Sequence, residues 1–320
     1  MRRLVGLLLA SIAWSTGVSA QDFPMKSIRL IVPYPPGGPT DLVGRTYAAK
    51  MQELWSHPVV VENRSGANGN IASQLVAKAP GDGYTLLLHA SSLVINPFLY
   101  KAPGYDPVAD FTPIGLVFDY KLIVVVHPSL PVKSLAELIA AAKARPGEIT
   151  YASGGGVGAP THLSVEMFKQ TVGIDLLHIP YAGGAPAVND LLAGHVKMMF
   201  NNPTQSLQYI KTGKLRALAT TGAKRMAQAP ELPTVAELGY PGYDVGTWYA
   251  VWGPAGVPPA VVETINGAIR KISDMKDVQE QLYAQGLAVL VSTASELADF
   301  QKSETARWGK VIRDAKIEAQ

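Results

Sequence analysis

The stretch Leu30-Ile31-Val32-Pro33-Tyr34-Pro35-Pro36-Gly37-Gly38-Pro39-Thr40-Asp41 predicts how this chain folds. Its apolar, β-branched beginning is typical of a buried strand. The proline and glycine residues end that strand, and Thr40 and Asp41 begin a helical pattern. A glycine-rich loop that leads from a strand into a helix N-terminus presents backbone N–H groups, which attract anions. We therefore interpret loop 1, residues 33–41, as half of a binding site.

Two later segments repeat this plan of strand, glycine-proline loop and helix. Loop 2, residues 153–160, reads Ser-Gly-Gly-Gly-Val-Gly-Ala-Pro, and loop 3, residues 181–186, reads Tyr-Ala-Gly-Gly-Ala-Pro. Alternating strands and helices with short glycine-rich connections predict parallel sheets covered by helices, which bind ligands outside the carboxyl ends of their strands. None of the three loops contains Lys or Arg. We therefore expect an anion to be held by N–H groups, hydroxyls and water.

Residues 1–20 have the features of a secretory signal peptide. Two arginines precede an apolar run that is too short to span a bilayer, and Val18-Ser19-Ala20 is a small-residue cleavage site. Cleavage after Ala20 leaves 320 − 20 = 300 residues, a length that suggests two domains. We therefore predict an exported protein of the periplasm.

Composition argues against several classes of function. Without the two arginines of the signal, 28 − 2 = 26 basic residues face 25 acidic ones, so no basic surface for nucleic acid is expected. The chain has no cysteine, and its histidines show no metal-ligand spacing. Residues 154–159 fit the dinucleotide fingerprint, but Asp175 precedes its strand and no Walker-type sequence is present. We predict no cofactor, no metal and no catalytic constellation.

Six segments of the sequence resemble the Bug receptors, which are the solute-binding proteins of tripartite tricarboxylate transporters. The resemblance implies an α/β fold of the type II periplasmic binding protein class, with two α/β domains joined by two crossing strands and a ligand cleft between them. Residues 122–126 would cross outward and residues 249–252 would return. This gives one domain of residues 21–125 plus 249–320 and a second of residues 126–248. The segments that carry the resemblance are residues 32–41, 62–70, 151–154, 179–187, 233–237 and 252–258.

The resemblance also implies that loops of both domains grip a small carboxylate, partly through water. Asp41 has a structural alternative, because a carboxylate in the first turn of a helix is favoured by the helix dipole. Asn201 stands where the family often has aspartate, a change that would favour a more anionic ligand or remove a partner for an ammonium group. Tyr34 and Tyr181 would line an apolar wall or pack in the core. The candidate binding residues are Tyr34 and Tyr181, from the loop sequences themselves, and those that the resemblance implies: Pro36, Gly37, Gly38, Thr40, Asp41, Ser92, Ser153, Gly154, Gly155, Gly156, His162, Ala182, Gly183, Gly184 and Asn201.

The expected function is capture of a small organic carboxylate, such as a di- or tricarboxylate, an aromatic acid or an acidic amino acid. The expected partners are the large and small membrane subunits of a tripartite tricarboxylate transporter, and the receptor is expected to be a monomer. Two alternatives stay open at this point. One is an exported enzyme that acts on a carboxylate, and the other is a receptor that signals to a membrane sensor kinase.

Overall fold

Strands and helices alternate along most of the chain. The computed structural model describes residues 23–319, so the predicted signal peptide lies outside the described residues. The strands are β1 (Ile28–Val32), β2 (Val59–Asn63), β3 (Thr85–Ala90), β4 (Phe111–Lys121), β5 (Ile123–Val126), β6 (Thr150–Gly154), β7 (Leu177–Tyr181), β8 (Met198–Asn201), β9 (Arg216–Thr220), β10 (Gly246–Pro254) and β11 (Ala288–Val289). The helices are α1 (Pro39–Trp55), α2 (Asn70–Ala77), α3 (Ser92–Ile95), α4 (Leu135–Ala144), α5 (Pro160–Val172), α6 (Gly184–Leu192), α7 (Pro203–Lys211), α8 (Pro259–Ser273), α9 (Lys276–Ala284) and α10 (Ala294–Asp314).

The strands form two separate sheets. The first sheet has six strands in the order β11-β4-β10-β3-β1-β2, and the second has five in the order β7-β6-β8-β5-β9. Strand β1 runs parallel to β2 and β3, and β6 runs parallel to β7 and β8. The carboxyl ends of these parallel strands therefore carry loops 1, 2 and 3, as the sequence predicts. We call the first sheet with its helices the first unit, and the second sheet with its helices the second unit.

Two neighbouring chain segments connect the units. Strand β4 pairs in the first sheet and β5 in the second, with only Leu122 between them. The return segment runs from Val245, whose N–H donates to the carbonyl oxygen of Thr221 at 2.9 Å, into β10. Strand β10 then pairs antiparallel with β4. The predicted fold class, two α/β units joined by two crossing strands, is confirmed.

The crossing strands are longer than the sequence pattern indicates. Strand β4 precedes the predicted outward crossing and is not predicted at all, because Pro113 and Gly115 interrupt its apolar pattern. The pairing of β10 with β4 shifts register twice, and Pro113 pairs at one of these irregular steps. The return strand β10 spans Gly246–Pro254, which extends the predicted residues 249–252 in both directions.

The core of the first unit explains how loop 1 is held. Helix α1 begins at Pro39, a favoured first helical residue, and buries Val43, Tyr47 and Met51. A Cβ on Gly44 would lie 3.2 Å from Cγ2 of Val32, so glycine allows α1 to lie close to β1. The C-terminal helix α10 packs on β4 and also on α5 of the second unit. Among the described residues, no helix combines the length and the apolar character that crossing a membrane requires.

Candidate binding site

Loop 1 folds back on the helix that follows it. Gly37 has φ +87°, a conformation that glycine adopts without strain, and its N–H donates to Oδ2 of Asp41 at 3.0 Å. Pro39 has no N–H, and Thr40 and Asp41 lie in the first turn of α1, where backbone N–H groups have no acceptor within the helix. The anion-attracting groups of loop 1 are therefore those of the helix start and not the N–H of Gly37.

Asp41 is buried and fully supported by its neighbours. Nε of Arg45 donates to its Oδ2 at 3.0 Å, and Nδ2 of Asn63 donates to its Oδ1 at 2.9 Å. Burial would raise the pKa of Asp41, but these bonds and the one from Gly37 lower its pKa below the ordinary value. The carboxylate is therefore ionised, paired and suited to a structural role.

Tyr34 and Ser92 meet where β1 and β3 end. The Tyr34 hydroxyl donates to Oγ of Ser92 at 3.5 Å and lies 3.5 Å from Nδ1 of His89. His89 is completely buried, accepts the N–H of Ala90 at Nδ1 at 2.7 Å, and leaves Nε2 without a protein partner. Burial lowers the pKa of His89 to about 3, so the ring is neutral. No sequence pattern indicates the position of His89, because its neighbours Tyr34 and Ser92 include a residue from a distant segment.

Loops 2 and 3 lie directly against each other. The N–H groups of Gly155 and Gly156 both donate to the carbonyl oxygen of Tyr181 at 2.9 Å. A Cβ on Gly154 would lie 2.6 Å from Cα of Gly184, so no larger residue fits without moving a loop. These two N–H groups thus join the loops, although the sequence suggested that they would face an anion.

A cavity brings loop 1 opposite the second unit. It has a volume of about 650 Å³, with Gly37, Gly38, Asp41 and Arg45 on one side and Thr204 and Gln205 on the other. Gln205 also touches loop 3, because a Cβ on Gly184 would lie 2.6 Å from its Oε1. The cavity is therefore lined by loop 1 and the start of α7, and loop 3 contacts the lining residue Gln205.

Sequence reasoning missed Gln205 and Thr204. Both lie in the first turn of α7, whose start is fixed by Asn202: its Oδ1 accepts the N–H of Gln205 at 3.0 Å and the hydroxyl of Thr204 at 2.6 Å. The sequence Asn-Pro-Thr-Gln is a helix-start signal that would have placed both residues at a helix N-terminus.

The two units contact each other at two further places. A Cβ on Gly158 of loop 2 would lie 2.2 Å from Cδ1 of Leu99 in the first unit. A Cβ on Gly286, which precedes β11, would lie 2.5 Å from Cβ of Pro203 in the second unit. Gly158 and Gly286 therefore allow the backbones of the two units to approach closely at these places.

Asn201 lies at the end of β8 and is almost completely buried. Its Nδ2 has no hydrogen-bond partner in the described protein, as is also true of Oγ1 of Thr220. Both residues pair with Ile123 from opposite sides, so the three lie in one row across the second sheet. A buried amide donor without a partner costs free energy unless water or a ligand accepts its bond.

Ser153 and His162, two of the predicted contacts, belong to a cluster under loop 2. Oγ of Ser153 is 2.7 Å from Nε2 of His178, and Nδ1 of His162 accepts the N–H of Gly158 at 2.8 Å. The Ser153–His178 pair was not predicted from the sequence, because its members are 25 residues apart on neighbouring strands.

The remaining predicted contacts lie at the edges of loops 1 and 3. Pro36 and Ala182 are exposed, and the Tyr181 hydroxyl donates to Oδ2 of Asp190 at 2.7 Å on α6. In the part of the chain that the structure describes, no group of three or more acidic, histidine or cysteine side chains is arranged to hold a metal ion.

The sequence profile of the tripartite tricarboxylate transporter family receptor matches residues 43–317. This chain belongs to that family. The receptor is 39% identical to the protein BugT of Bordetella pertussis over 313 residues, which cover 97% of this chain and 96% of BugT. The predicted resemblance to the Bug receptors is therefore confirmed.

Solved structures of similar proteins support the same assignment. The structure of R. palustris Rpa4515 with adipate has a TM-score of 0.84 and 35% identity, and the match covers 93% of this receptor and 100% of that chain. MatC from Rhodopseudomonas palustris with bound malate has a TM-score of 0.77 and 28% identity, with 91% and 100% covered. Because the family consists of receptors, this chain is a solute-binding receptor of the periplasmic binding protein fold and not an enzyme. The Ser153–His178 pair is therefore not a catalytic dyad.

Proposed function

We propose that this receptor captures a small dicarboxylate in the periplasm and delivers it to the large and small membrane subunits of a tripartite tricarboxylate transporter. The observation that carries the proposal is the cavity of about 650 Å³ between the N-termini of α1 and α7. Each helix start concentrates partial positive charge, so two of them on opposite sides of one cavity suit a ligand with an anionic group at each end. The volume is in the range of small-molecule sites.

The charges around the cavity favour the same ligand class. Asp41 faces the cavity but is neutralised by Arg45, whose own side chain is exposed there. The remaining polar side chains of the lining are Thr46, Thr204 and the glutamines 205, 281 and 285, all uncharged. A dicarboxylate would therefore meet helix N-termini, amides and hydroxyls, with no uncompensated carboxylate to repel it.

Asn201 favours ligands without an ammonium group over amino acids. An amide donor without a protein partner suits an acceptor atom of a ligand, such as a carboxylate or carbonyl oxygen. An aspartate in the same place would instead suit an ammonium group. We therefore infer that plain dicarboxylates bind better than acidic amino acids of the same length. The adipate and malate of the two similar structures are dicarboxylates without an ammonium group.

The two units are proposed to act as the two domains of a closing receptor. We propose that each unit is one domain, with the boundaries at Leu122, between β4 and β5, and just before β10, which begins at Gly246. The receptor would open and close about the crossing strands as a monomer. Presentation of the ligand to a membrane sensor kinase remains the alternative to delivery to the transporter.

A thermal-shift series with adipate, malate, citrate, aspartate and glucose tests the ligand class. A ligand at a hundredfold excess over its Kd stabilises the folded protein by about 2.7 kcal/mol. We expect adipate or malate to raise the melting temperature more than aspartate does, and glucose to have no effect. A shift with glucose alone would contradict the proposal. Co-purification with the two membrane subunits, against a sensor kinase as the competing bait, tests the partner.

A further inference from the structure

Two stacked imidazole rings lie beneath loop 2. His162 comes from the first turn of α5, and His178 from β7. Their ring centroids are 3.9 Å apart with an angle of 13° between the planes, and the Tyr151 ring stacks on His178 at 4.8 Å. His162 is buried, with 4% of its surface exposed. This histidine stack lies outside the cavity that the two helix starts border.

Each ring of the stack holds one end of loop 2. His178 is hydrogen-bonded to Ser153, the first residue of the loop, whose Oγ is also 3.3 Å from the carbonyl oxygen of Gly156. His162 accepts the N–H of Gly158 near the other end. The bond to Gly158 requires an unprotonated Nδ1, because an imidazolium has two donors and no acceptor. Loop 2 therefore has this shape only while His162 is neutral.

The end of the loop that His162 holds is the end that touches the first unit. Gly158 has φ +79°, and a Cβ at this position would lie 2.2 Å from Cδ1 of Leu99. Contact this close requires both a glycine and a defined position of its backbone. The hydrogen bond from Gly158 to His162 supplies that position, so the stack is connected to a contact between the two units.

The carboxylate beside the stack, Glu166, is already bonded to other groups and is not free to pair with a protonated histidine. Glu166 lies 3.8 Å from Nε2 of His162, but its Oε1 already accepts bonds from the Tyr151 hydroxyl at 2.5 Å and from Nζ of Lys169 at 3.0 Å. Lys169 also contacts Asp175 at 3.4 Å. On α10, which packs against α5, Arg307 pairs with Glu304 and reaches Sδ of Met167.

Burial and these neighbours keep both rings neutral at ordinary pH. Burial, then His178 and Lys169, lower the pKa of His162 to about 3. Burial, then Lys169, lower the pKa of His178 to about 4. Protonation of either ring places a positive charge against the face of the other at 3.9 Å.

We propose that the His162–His178 stack is an acid-sensitive positioning device that holds loop 2 in the shape that closes the cleft on the ligand. His162 acts through the Gly158 N–H and not by touching the ligand, which makes it a positioning residue. The expected consequence is release of the ligand in acid, and this consequence rests on the proposed function. Its structural basis, the neutral acceptor for Gly158, can be tested without any ligand.

Hydrogen exchange of the ligand-free receptor tests the device directly. Exchange of the segment 153–163 is followed from pH 7 to pH 2, below the lowered pKa values of both histidines, and corrected for the intrinsic pH dependence of exchange. We expect protection of the Gly158 N–H to fall about fivefold or more as the histidines become protonated, which corresponds to the loss of one hydrogen bond. The ring proton signals of His162 and His178, measured by NMR in the same samples, show whether the loss follows their titration.

Three variants test whether His162 holds loop 2 through a hydrogen bond that protonation breaks or only through packing. His162→Gln supplies an acceptor that does not titrate, so protection of Gly158 should persist to pH 2. His162→Phe removes the acceptor, so protection should be low at every pH. His57→Gln is the matched control, because His57 belongs to the first unit, where its Nδ1 lies 2.9 Å from the carbonyl oxygen of Trp55, and it should behave like the natural protein. Equal pH dependence in His162→Gln and the natural protein would overturn the proposal.

Adipate titration of the same proteins links the device to binding. At pH 7 we expect His162→Phe to weaken adipate binding by about fivefold or more, if one hydrogen bond is lost, while His162→Gln keeps most of the affinity. If adipate binds none of the proteins, the proposed ligand is wrong but the exchange result still decides the inference. If the natural protein binds adipate and His162→Phe binds adipate equally tightly, the stack does not position loop 2 for the ligand.

Discussion

The N–H of Leu122 donates to Oγ1 of Thr221 at 2.8 Å, at the point where the chain passes from the first sheet to the second. The same hydroxyl lies 2.6 Å from the carbonyl oxygen of Val245, to which it donates, on the return segment. One buried threonine therefore bonds to both crossing segments. Rotation of the units about these segments would have to preserve or exchange both bonds.

Thr221→Val should destabilise the receptor, because valine keeps the shape and removes both bonds of the hydroxyl. The buried N–H of Leu122 loses its partner, so we expect a loss of about 1–3 kcal/mol in the free energy of unfolding, measured with urea at pH 7. Thr220→Val is a matched control. Thr220 is equally buried, but its Oγ1 has no protein partner, so its replacement should cost little. Equal losses in the two variants would contradict a special role of the Thr221 hydroxyl.

Stability should fall as the pH drops from 7 to 5.5. The pKa values of His89 and His162 are lowered to about 3, so both stay neutral in the folded receptor while the unfolded chain binds protons below pH 6.5. The unfolded state then holds more protons, and each buried histidine removes about 1 kcal/mol of stability over this interval. Urea unfolding at the two pH values measures the loss.

The chosen pH interval lies above the range in which the paired carboxylate of Glu62 titrates. Hydrogen bonding to Arg29 is the main cause that lowers the pKa of Glu62 to about 2, so its stabilising effect is lost only when the pH falls below its ordinary value of 4.5. His89→Phe should reduce the pH dependence, because it removes one of the buried neutral histidines. A stability that is flat between pH 7 and 5.5 would show that the buried histidines are not held neutral.

Local sequence patterns predicted the positions of the three loops. Loops 1, 2 and 3 each follow a predicted strand and begin a helix, because strand ends and helix starts depend on nearby proline, glycine and apolar spacing. The fold class followed from the same alternation together with the family resemblance. Strand β4 was missed, because its pairing with β10 and not its own sequence makes it a strand.

Long-range hydrogen bonds could not be predicted in the same way. The sequence suggested free N–H groups at Gly155 and Gly156, but both donate to Tyr181 of the neighbouring strand. The contact between Gln205 and Gly184 and the bond between Ser153 and His178 also join separate elements. A sequence pattern shows that a loop presents donors, while the fold decides which of them are already used.

Gly154→Ala should weaken ligand binding by separating loops 2 and 3. The added Cβ would lie 2.6 Å from Cα and 2.7 Å from the backbone nitrogen of Gly184, so one loop must move. Overpacking of this kind costs about 1–3 kcal/mol, and we expect a comparable loss in adipate affinity by calorimetry. Gly267→Ala is the control, since Gly267 lies in α8, outside the three loops, and no atom lies within 4 Å of its added Cβ. If both variants bind adipate equally well, contact between the loops does not shape the site.

Asn201→Asp should exchange the preference between plain and ammonium-bearing dicarboxylates. The substitution replaces a buried donor by a carboxylate at nearly constant size, so an acceptor atom of the ligand meets a negative charge. We expect malate or adipate to bind at least about tenfold more weakly, which corresponds to the loss of a hydrogen bond to a charged group, and aspartate to gain relative to malate. Calorimetry of each acid with both proteins at pH 7 gives the ratio.

The neighbouring residue supplies the control for this exchange. Asn202 caps α7 through its Oδ1, and Asn202→Asp keeps the cap while adding the same charge one position away. A general effect of negative charge would weaken malate binding in both variants, and the ratio of malate affinity to aspartate affinity would then be the same in both. A change of that ratio in Asn201→Asp alone would locate the selection at the buried amide. Unchanged binding of every acid to Asn201→Asp would show that the unpartnered Nδ2 faces water and not the ligand.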